Sequence, residues 1–307
     1  MTRDELEEDI SVGDIVKITT KSGEFTGRVE EFGESAVKLT NAENGKPKRI
    51  AYDFIMEYDT DIEALPVSIG IDPDSKLLAI PGTNYMMGQT QVTQRLYKKV
   101  MGENPSYFQR SNDELDDDQR NALEGSTANN PVENISWFDA VYFCNKLSMK
   151  EGLTPAYSVD GESDPDYWGY TPHQGESIDS EVECDFDSNG YRLPTNEEWE
   201  KAARGGEDCA YSGSDDIDGV GWYKDNSDNV THPVARKMAN GYGLYDMSGN
   251  VWEWVWEYYP DDEFGNRLPR GGSYDMDTCD CKVSGRIASI ADAQDINCGF
   301  RLLRPKN

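Results

Sequence analysis

Alternating apolar and polar residues dominate the first part of the chain, between residues 11 and 60. Apolar side chains two positions apart are typical of strands that bury one face. An Asn44-Gly45 pair in this region favours a tight hairpin turn. The pattern predicts five short strands, and we expect them to form a small all-β barrel of the Sm-like or SH3-like kind over residues 1–65.

Further along the chain, apolar residues take the spacing of amphipathic helices at three places. These are residues 90–101, 136–151 and 195–204. Ser136 and Thr195 stand at the starts of the second and third stretches, where a hydroxyl side chain caps the first turn. The last third of the chain is rich in Gly, Asn and Trp, and it predicts irregular loops joined by short strands.

The composition is that of an acidic globular protein, with 307 residues, 7 Trp, 17 Tyr and a formal net charge of -30. Such a charge repels nucleic acid and anionic membrane surfaces, so we expect no nucleic acid to bind through the second domain. No stretch approaches the ~18 apolar residues of a membrane span, and we expect no membrane insertion.

Domain organisation and location follow from the same survey. We predict a linker at residues 60–70 and a second domain over residues 70–307, with acidic surface loops at 111–126 and 160–190. The acidic N-terminus has no apolar signal region. We therefore expect a cytoplasmic protein without a signal peptide, and the alternative is a component of a virus or phage particle.

The cysteines and histidines suggest no standard metal or nucleophile site. The six cysteines are Cys144, Cys184, Cys209, Cys279, Cys281 and Cys298. They are too dispersed for a disulfide framework, and the Cys279-Asp280-Cys281 spacing is too tight for zinc. The two histidines, His173 and His232, lie near no nucleophile motif.

Six phrases occur in order between residues 78 and 304. They are GQTQVTQRLYKKVMGENPSYF, NPVENISWFDAVYFCNKLSMKEGLTPAY, YRLPTNEEWEKAARGG, NGYGLYDMSGNVWEW, LPRGGSY and CGFRLLR. Together they resemble the family of formylglycine-generating (sulfatase-modifying) enzymes. The resemblance implies an α+β class: an irregular C-type lectin fold of the formylglycine-generating-enzyme type, with a small antiparallel sheet and two main helices.

The resemblance also implies a structural calcium ion at the G-N-x-W-E-W segment. Its ligands would be backbone carbonyls and an acidic side chain at Asp246, Gly249, Val251 and Glu253. Ligation by oxygen alone suits a hard cation such as calcium. The alternative is that Glu253 pairs with an arginine and no ion binds.

The catalytic cysteines that the family implies are not both present. The enzymes bind copper(I) through two thiolates, with four residues between them, after an R-G-G-S motif, and that motif lies here at residues 270–273. The first thiolate position is Met276 and the second is Cys281. We therefore expect neither formylglycine-generating activity nor copper. A copper-dependent oxidase stays open as an alternative, because Cys279 and Cys281 would share one face of an alternating strand.

Other branches of the family lack these cysteines. The ergothioneine-type sulfoxide synthases need three histidines, which this chain does not have. The PvdO-like tailoring proteins remain open. The variable proteins of diversity-generating retroelements use the same domain as a binding scaffold, with a hypervariable segment between R-G-G-S and the closing G-F-R. In that segment Met276, Lys282 and Gln294 would be constant, because mutagenesis of adenines in Asn-type codons does not produce these residues.

We favour the last branch and predict a non-catalytic protein that binds an unknown protein or surface ligand through its C-terminal segment. A structural module of a larger particle is the further alternative, and the barrel would serve docking or homo-oligomerisation. Trp252, Trp254 and Trp256 are expected to frame the surface. The predicted contact residues are Tyr274, Asp275, Asp277, Cys279, Asp280, Gly285, Ile287, Ser289, Ile290, Asp292, Asp295 and Ile296.

Overall fold

A computed structural model describes residues 15–20, 23–32, 36–41, 47–51, 55–59, 76–123, 126–260 and 262–306. The chain divides into two compact units, the first consisting mainly of residues 1–70 and the second mainly of residues 71–307.

The described residues of the first unit form five strands: β1 (Ile15–Thr20), β2 (Gly23–Phe32), β3 (Ala36–Asn41), β4 (Pro47–Ala51) and β5 (Ile55–Asp59). They make an antiparallel sheet in the order β4-β3-β2-β1-β5. Ile18, Val37 and Ile50 are buried, as the apolar alternation predicts. The number of strands agrees with the sequence, whereas closure into a barrel stays a prediction. The Asn44-Gly45 turn and the linker at 60–70 lie outside the described residues.

The second unit contains four α-helices among its described residues. They are α1 (Gln94–Met101), α2 (Asp117–Ala122), α3 (Trp137–Lys150) and α4 (Asn196–Arg204). Ser136 and Thr195 form capping boxes with the third residues of α3 and α4, so local chemistry determines where both helices begin. Within the described part of the chain, no helix is long and apolar enough to span a membrane.

Two helix predictions need correction. Helix α1 begins at Gln94, after its N-cap Thr93 and four residues later than predicted, because Val92 is held in an extended segment by a backbone hydrogen bond to Phe300. Helix α2 was missed within the predicted loop 111–126. Its exposed sequence carries no apolar stripe, and an Asp116 capping box supports it instead.

Short strands complete the mixed α/β unit. They are β6 (Leu77–Ala79), β7 (Tyr85–Gly88), β8 (Tyr157–Val159), β9 (Val182–Cys184), β10 (Trp252–Trp254), β11 (Cys298–Phe300) and β12 (Leu303–Pro305). Strands β12-β7-β6 form an antiparallel sheet, β8 pairs with β9, and β10 runs parallel to β11. The β10–β11 pair joins the W-E-W motif to the closing C-G-F-R motif.

A buried ion pair joins these motifs. The carboxylate of Glu253 accepts hydrogen bonds from Arg301 Nη2 at 2.7 Å and from Trp199 Nε1 at 2.7 Å. The Arg301 guanidinium also donates to the backbone oxygens of Gly88 and Tyr245. Glu253 and Arg301 are both fully buried. One hydrogen-bonded centre therefore connects α4, β7, β10 and the C-terminal strands.

Candidate ligand-binding surface

The segment that follows the R-G-G-S motif, residues 274–296, is attached to the start of α3 through its main chain. Trp137 N donates to Ala291 O at 2.9 Å, and Asn134 N donates to Asp295 O at 3.0 Å. Asn134 also lines an open, polar depression of about 390 Å³ formed with residues between 105 and 114. Because these bonds use backbone groups of the segment, they do not depend on which side chains it carries.

Residues 282–290, which we call the limb of the segment, pair with residues 267–269 just before the R-G-G-S motif. Arg267 N donates to Ser289 O at 2.7 Å, and Ser289 N donates to Arg267 O at 3.1 Å. Ile287 N donates to Pro269 O at 3.3 Å. This pairing gives the limb the geometry of an edge strand, in which successive side chains point to opposite sides.

Exposure alternates along that limb and corrects the predicted contact residues. Val283 is buried, and the predicted contacts Gly285, Ile287 and Ser289 are only partly exposed, with Ile287 packed against the core. The outward positions are Lys282, Ser284, Arg286, Ala288 and Ile290. Of these five, only Ile290 was among the predicted contact residues. In the sequence, the apolar residues Val283 and Ile287 at odd-numbered positions are the signal that could have indicated this alternation.

The two nearby cysteines do not share a face, which is a second correction. Residues 277–281 form a turn, closed by Asp280 N donating to Asp277 O at 3.1 Å, and not a strand. Cys279 is exposed, whereas Cys281 is buried with its Sγ 3.8 Å from Ser273 O. Burial raises the pKa of the Cys281 thiol to about 12. A copper(I) site needs two thiolates, and this arrangement disfavours one.

We expect the two thiols to react very differently. Under native conditions at mild alkaline pH, iodoacetamide should modify Cys279 and leave Cys281 unmodified, because the buried thiol is both protonated and inaccessible. Peptide mass spectrometry of the alkylated protein checks this, and the urea-unfolded protein provides the control in which both react. Equal modification of both in the folded protein would contradict the placement of Cys281.

Other predicted contacts vary in exposure. Those well exposed are Asp277, Cys279, Ile290, Asp295 and Ile296; those partly exposed are Asp275, Asp280, Asp292 and Trp256. Tyr274 is buried against Phe108, with ring centroids 5.1 Å apart, and so is not a contact residue. Trp252 and Trp254 are also buried, and Trp254 Nε1 donates to Ile135 O. Neither indole frames the surface, because both belong to one buried core cluster.

The predicted calcium ligands do not assemble around one point. The carbonyl oxygens of Asp246, Gly249 and Val251 do converge, but on the side-chain nitrogen Nε2 of Gln91, at 3.2, 3.4 and 2.9 Å. The fourth predicted ligand, Glu253, is bonded to arginine and tryptophan instead. A neutral amide donor therefore takes the position that a cation would need. These residues, in this arrangement, do not fit the ion.

Two buried oxygens beside this point, Gln91 Oε1 and Asp246 Oδ1, have no hydrogen-bond partner in the described structure. Burial raises the pKa of Asp246 to about 6. The described residues contain no cluster of three or more His, Cys, Asp or Glu side chains able to hold a metal.

Comparison with known proteins identifies the family. The family model described as "Sulfatase-modifying factor enzyme 1-like domain" matches residues 73–306. The chain belongs to this family. Membership confirms the resemblance inferred from the six phrases, and it agrees with the mixed α/β architecture of the second unit.

Individual relatives include a protein named as a chaperone and a protein named as an inactive enzyme. The chain is 34% identical over 250 residues to chaperone protein LppX of Paenibacillus barcinonensis, covering 73% of this chain and 81% of that protein. It is 36% identical over 131 residues to the inactive C-alpha-formylglycine-generating enzyme 2 of Bos taurus, covering 36% of this chain and 43% of that one. The match therefore spans less than half of the bovine protein.

A solved structure is similar along nearly the whole chain. Treponema denticola variable protein 1 superposes with a TM-score of 0.62 and 29% identity, covering 94% of this chain and 98% of that chain. The likeness to a variable protein, which the sequence suggested, is thereby confirmed.

Proposed function

We propose that this protein is a non-catalytic ligand-binding protein that displays a hypervariable surface on residues 274–296. One observation carries the proposal. The scaffold holds the segment by backbone hydrogen bonds at Ser289, Ala291 and Asp295, while alternate side chains face solvent. A main chain held in this way tolerates many side chains at the outward positions without loss of the fold.

The relatives support this function and a polypeptide ligand. The similar solved structure is named a variable protein, and one relative is named a chaperone, a class that acts on other proteins. Met276 and the buried Cys281 at the two copper positions favour binding over oxidation.

Sequencing the gene from many isolates of the source organism tests the proposal. We expect substitutions to concentrate at the outward positions of the segment, namely 277, 278, 279, 284, 286, 288, 290, 295 and 296. Lys282 should stay constant although it is exposed, because adenine mutagenesis of Asn-type codons does not produce lysine. A near-copy of the coding segment, differing only at adenines, should lie in the same genome.

Exposed side chains elsewhere provide the matched control. Tyr167 and Phe186 are exposed and lie outside the segment. If they vary as often as Ala288 and Ile290, ordinary surface drift explains the variation and the hypervariable surface is rejected.

We also propose that the first unit closes into a barrel and serves docking or self-association. The buried Ile18, Val37 and Ile50 give its sheet an apolar face, and strands β4 and β5 stand at its edges. If the first unit self-associates, light scattering of the full chain should give a mass of at least twice the 34.5 kDa of one chain. A monomer at every concentration would argue against self-association.

A further inference from the structure

A loop with exposed aromatic residues stands beside the segment. Residues 257–260 and 262–267 form two paired limbs, which we call the aromatic hairpin: Tyr259 N donates to Asn266 O at 2.7 Å, and Tyr258 pairs with Arg267. The side chain of Asp262 accepts hydrogen bonds from Phe264 N and Asn266 N, which orders the tip.

The hairpin exposes large apolar surface that the fold does not use. Phe264 is 88% exposed at the tip, and Tyr258 is 56% exposed. Isolated exposed apolar residues are common, but these two lie in one ordered loop beside a third, Ile290, which is 59% exposed. The arrangement is typical of an interaction surface.

The hairpin lies next to the limb of the segment that carries Ile290. Arg267 pairs with Tyr258 on one side and with Ser289 on the other, so the three residues make a row across three chain segments. Neighbouring strands lie about 4.8 Å apart, which places Tyr258 roughly 10 Å from the limb. Residues of one row share a side and Ile290 points to the other, so a ligand that contacts both must extend around the limb, as a polypeptide can.

A buried cation holds the tyrosine ring in place. The Arg267 guanidinium carbon lies 3.5 Å from the ring centroid of Trp137 and 3.9 Å from that of Tyr258. It donates to Trp256 O at 2.8 Å and to the Tyr258 hydroxyl at 3.2 Å. The Arg267 guanidinium therefore makes cation–π contacts with both rings and holds the Tyr258 ring in place before any ligand binds. A ring that is already fixed loses less entropy on binding.

The charge around this apolar surface is negative. Residues 256–296 contain nine Asp and Glu against four Lys and Arg, within a chain of net charge -30. Two of the four basic residues, Arg267 and Arg270, are buried. A partner of opposite charge would be attracted over a distance and oriented as it docks.

We propose that the aromatic hairpin is the constant anchor of the binding surface, and that the ligand is a polypeptide with net positive charge around an apolar centre. This inference rests on the proposed function of residues 274–296. The variable side chains would select among ligands, while Tyr258 and Phe264 would supply the same apolar contact to each. Rigid aromatic side chains often provide most of the affinity in such surfaces.

Selection from a phage-displayed library of random dodecapeptides on the full chain tests the anchor. Enriched peptides should carry more positive charge than the unselected library. Binding of a labelled enriched peptide, measured by fluorescence anisotropy, should weaken about tenfold or more with Phe264→Ser and with Tyr258→Ser. Added salt should weaken it further. Phe264→Ser replaces an exposed side chain, so its unfolding temperature should match that of the wild type.

A control variant separates the anchor from general effects. Tyr167→Ser removes an aromatic side chain that is 75% exposed outside this surface and should not change binding.

The outcomes also separate this inference from the proposed function. Peptides that lose binding to Ile290→Asp but keep it for Phe264→Ser would overturn the anchor and leave the variable surface intact. Enriched peptides that are neutral or acidic, or no enrichment on the wild type, would overturn the proposed ligand class. Variation among isolates tests the segment independently.

Discussion

Replacing Arg301 with methionine should lower the free energy of unfolding by about 3–5 kcal/mol, among the largest effects of any single change in this chain. The substitution removes a guanidinium that binds the Glu253 carboxylate and two backbone oxygens in the core. It leaves a fully buried carboxylate with Trp199 as its remaining hydrogen-bond donor. Uncompensated burial of that charge accounts for most of the cost.

Urea unfolding followed by tryptophan fluorescence measures this loss. Lys224→Met is the matched control, since Lys224 and Asp277 form an ion pair at 3.3 Å with both side chains exposed. Solvent screens that pair, and its loss should cost about 0–1 kcal/mol. Equal effects of the two substitutions would contradict the central position of the Glu253–Arg301 pair.

The second large effect concerns Gln91, whose amide nitrogen is surrounded by three carbonyl oxygens. Gln91→Ala removes the donor and leaves buried carbonyls unpaired. Each unsatisfied buried group costs about 1–3 kcal/mol, and the amide has only two N–H groups to share among the three. We therefore expect the free energy of unfolding to fall by roughly 2–4 kcal/mol.

Gln91→Glu provides a sharper test of the same site. A carboxylate among three carbonyls, close to Asp246, is repelled unless a cation enters. The variant should unfold at a lower temperature than the wild type in EGTA, and excess calcium should restore it. A ligand present at 100 times its dissociation constant stabilises by about 2.7 kcal/mol.

The wild-type protein is the control for this experiment. Its unfolding temperature should be the same in EGTA and in excess calcium, because the Gln91 amide already satisfies the carbonyls. A clear rise with calcium in the wild type would show that the ion displaces Gln91, and the predicted calcium site would then be restored.

The starts of helices α3 and α4 were the most predictable part of the fold. Ser136 with Asp139, and Thr195 with Glu198, form capping boxes within four residues of chain, so local sequence determines both helix starts. The family was equally accessible, because its motifs are continuous phrases. Counting from residues 270–273 to Met276 needed no structure either.

The binding surface was less predictable, because exposure depends on partners distant in sequence. Which parity of residues 282–290 faces solvent is decided by the pairing of Ser289 with Arg267. A shift of one residue in that pairing would reverse every side chain. The burial of Trp252 and Trp254 also depends on β11, which pairs with their strand and lies more than 40 residues further along the chain.

The sequence by itself determined the family, the starts of helices α3 and α4, the five N-terminal strands and the loss of the first copper cysteine. These features depend on residue identity or on neighbours a few positions away. Only the tertiary structure decided that Gln91 lies where a cation was expected, that Cys281 is buried, and that the aromatic hairpin adjoins the segment. Each depends on groups brought together across the fold, where packing and backbone pairing outweigh the local pattern.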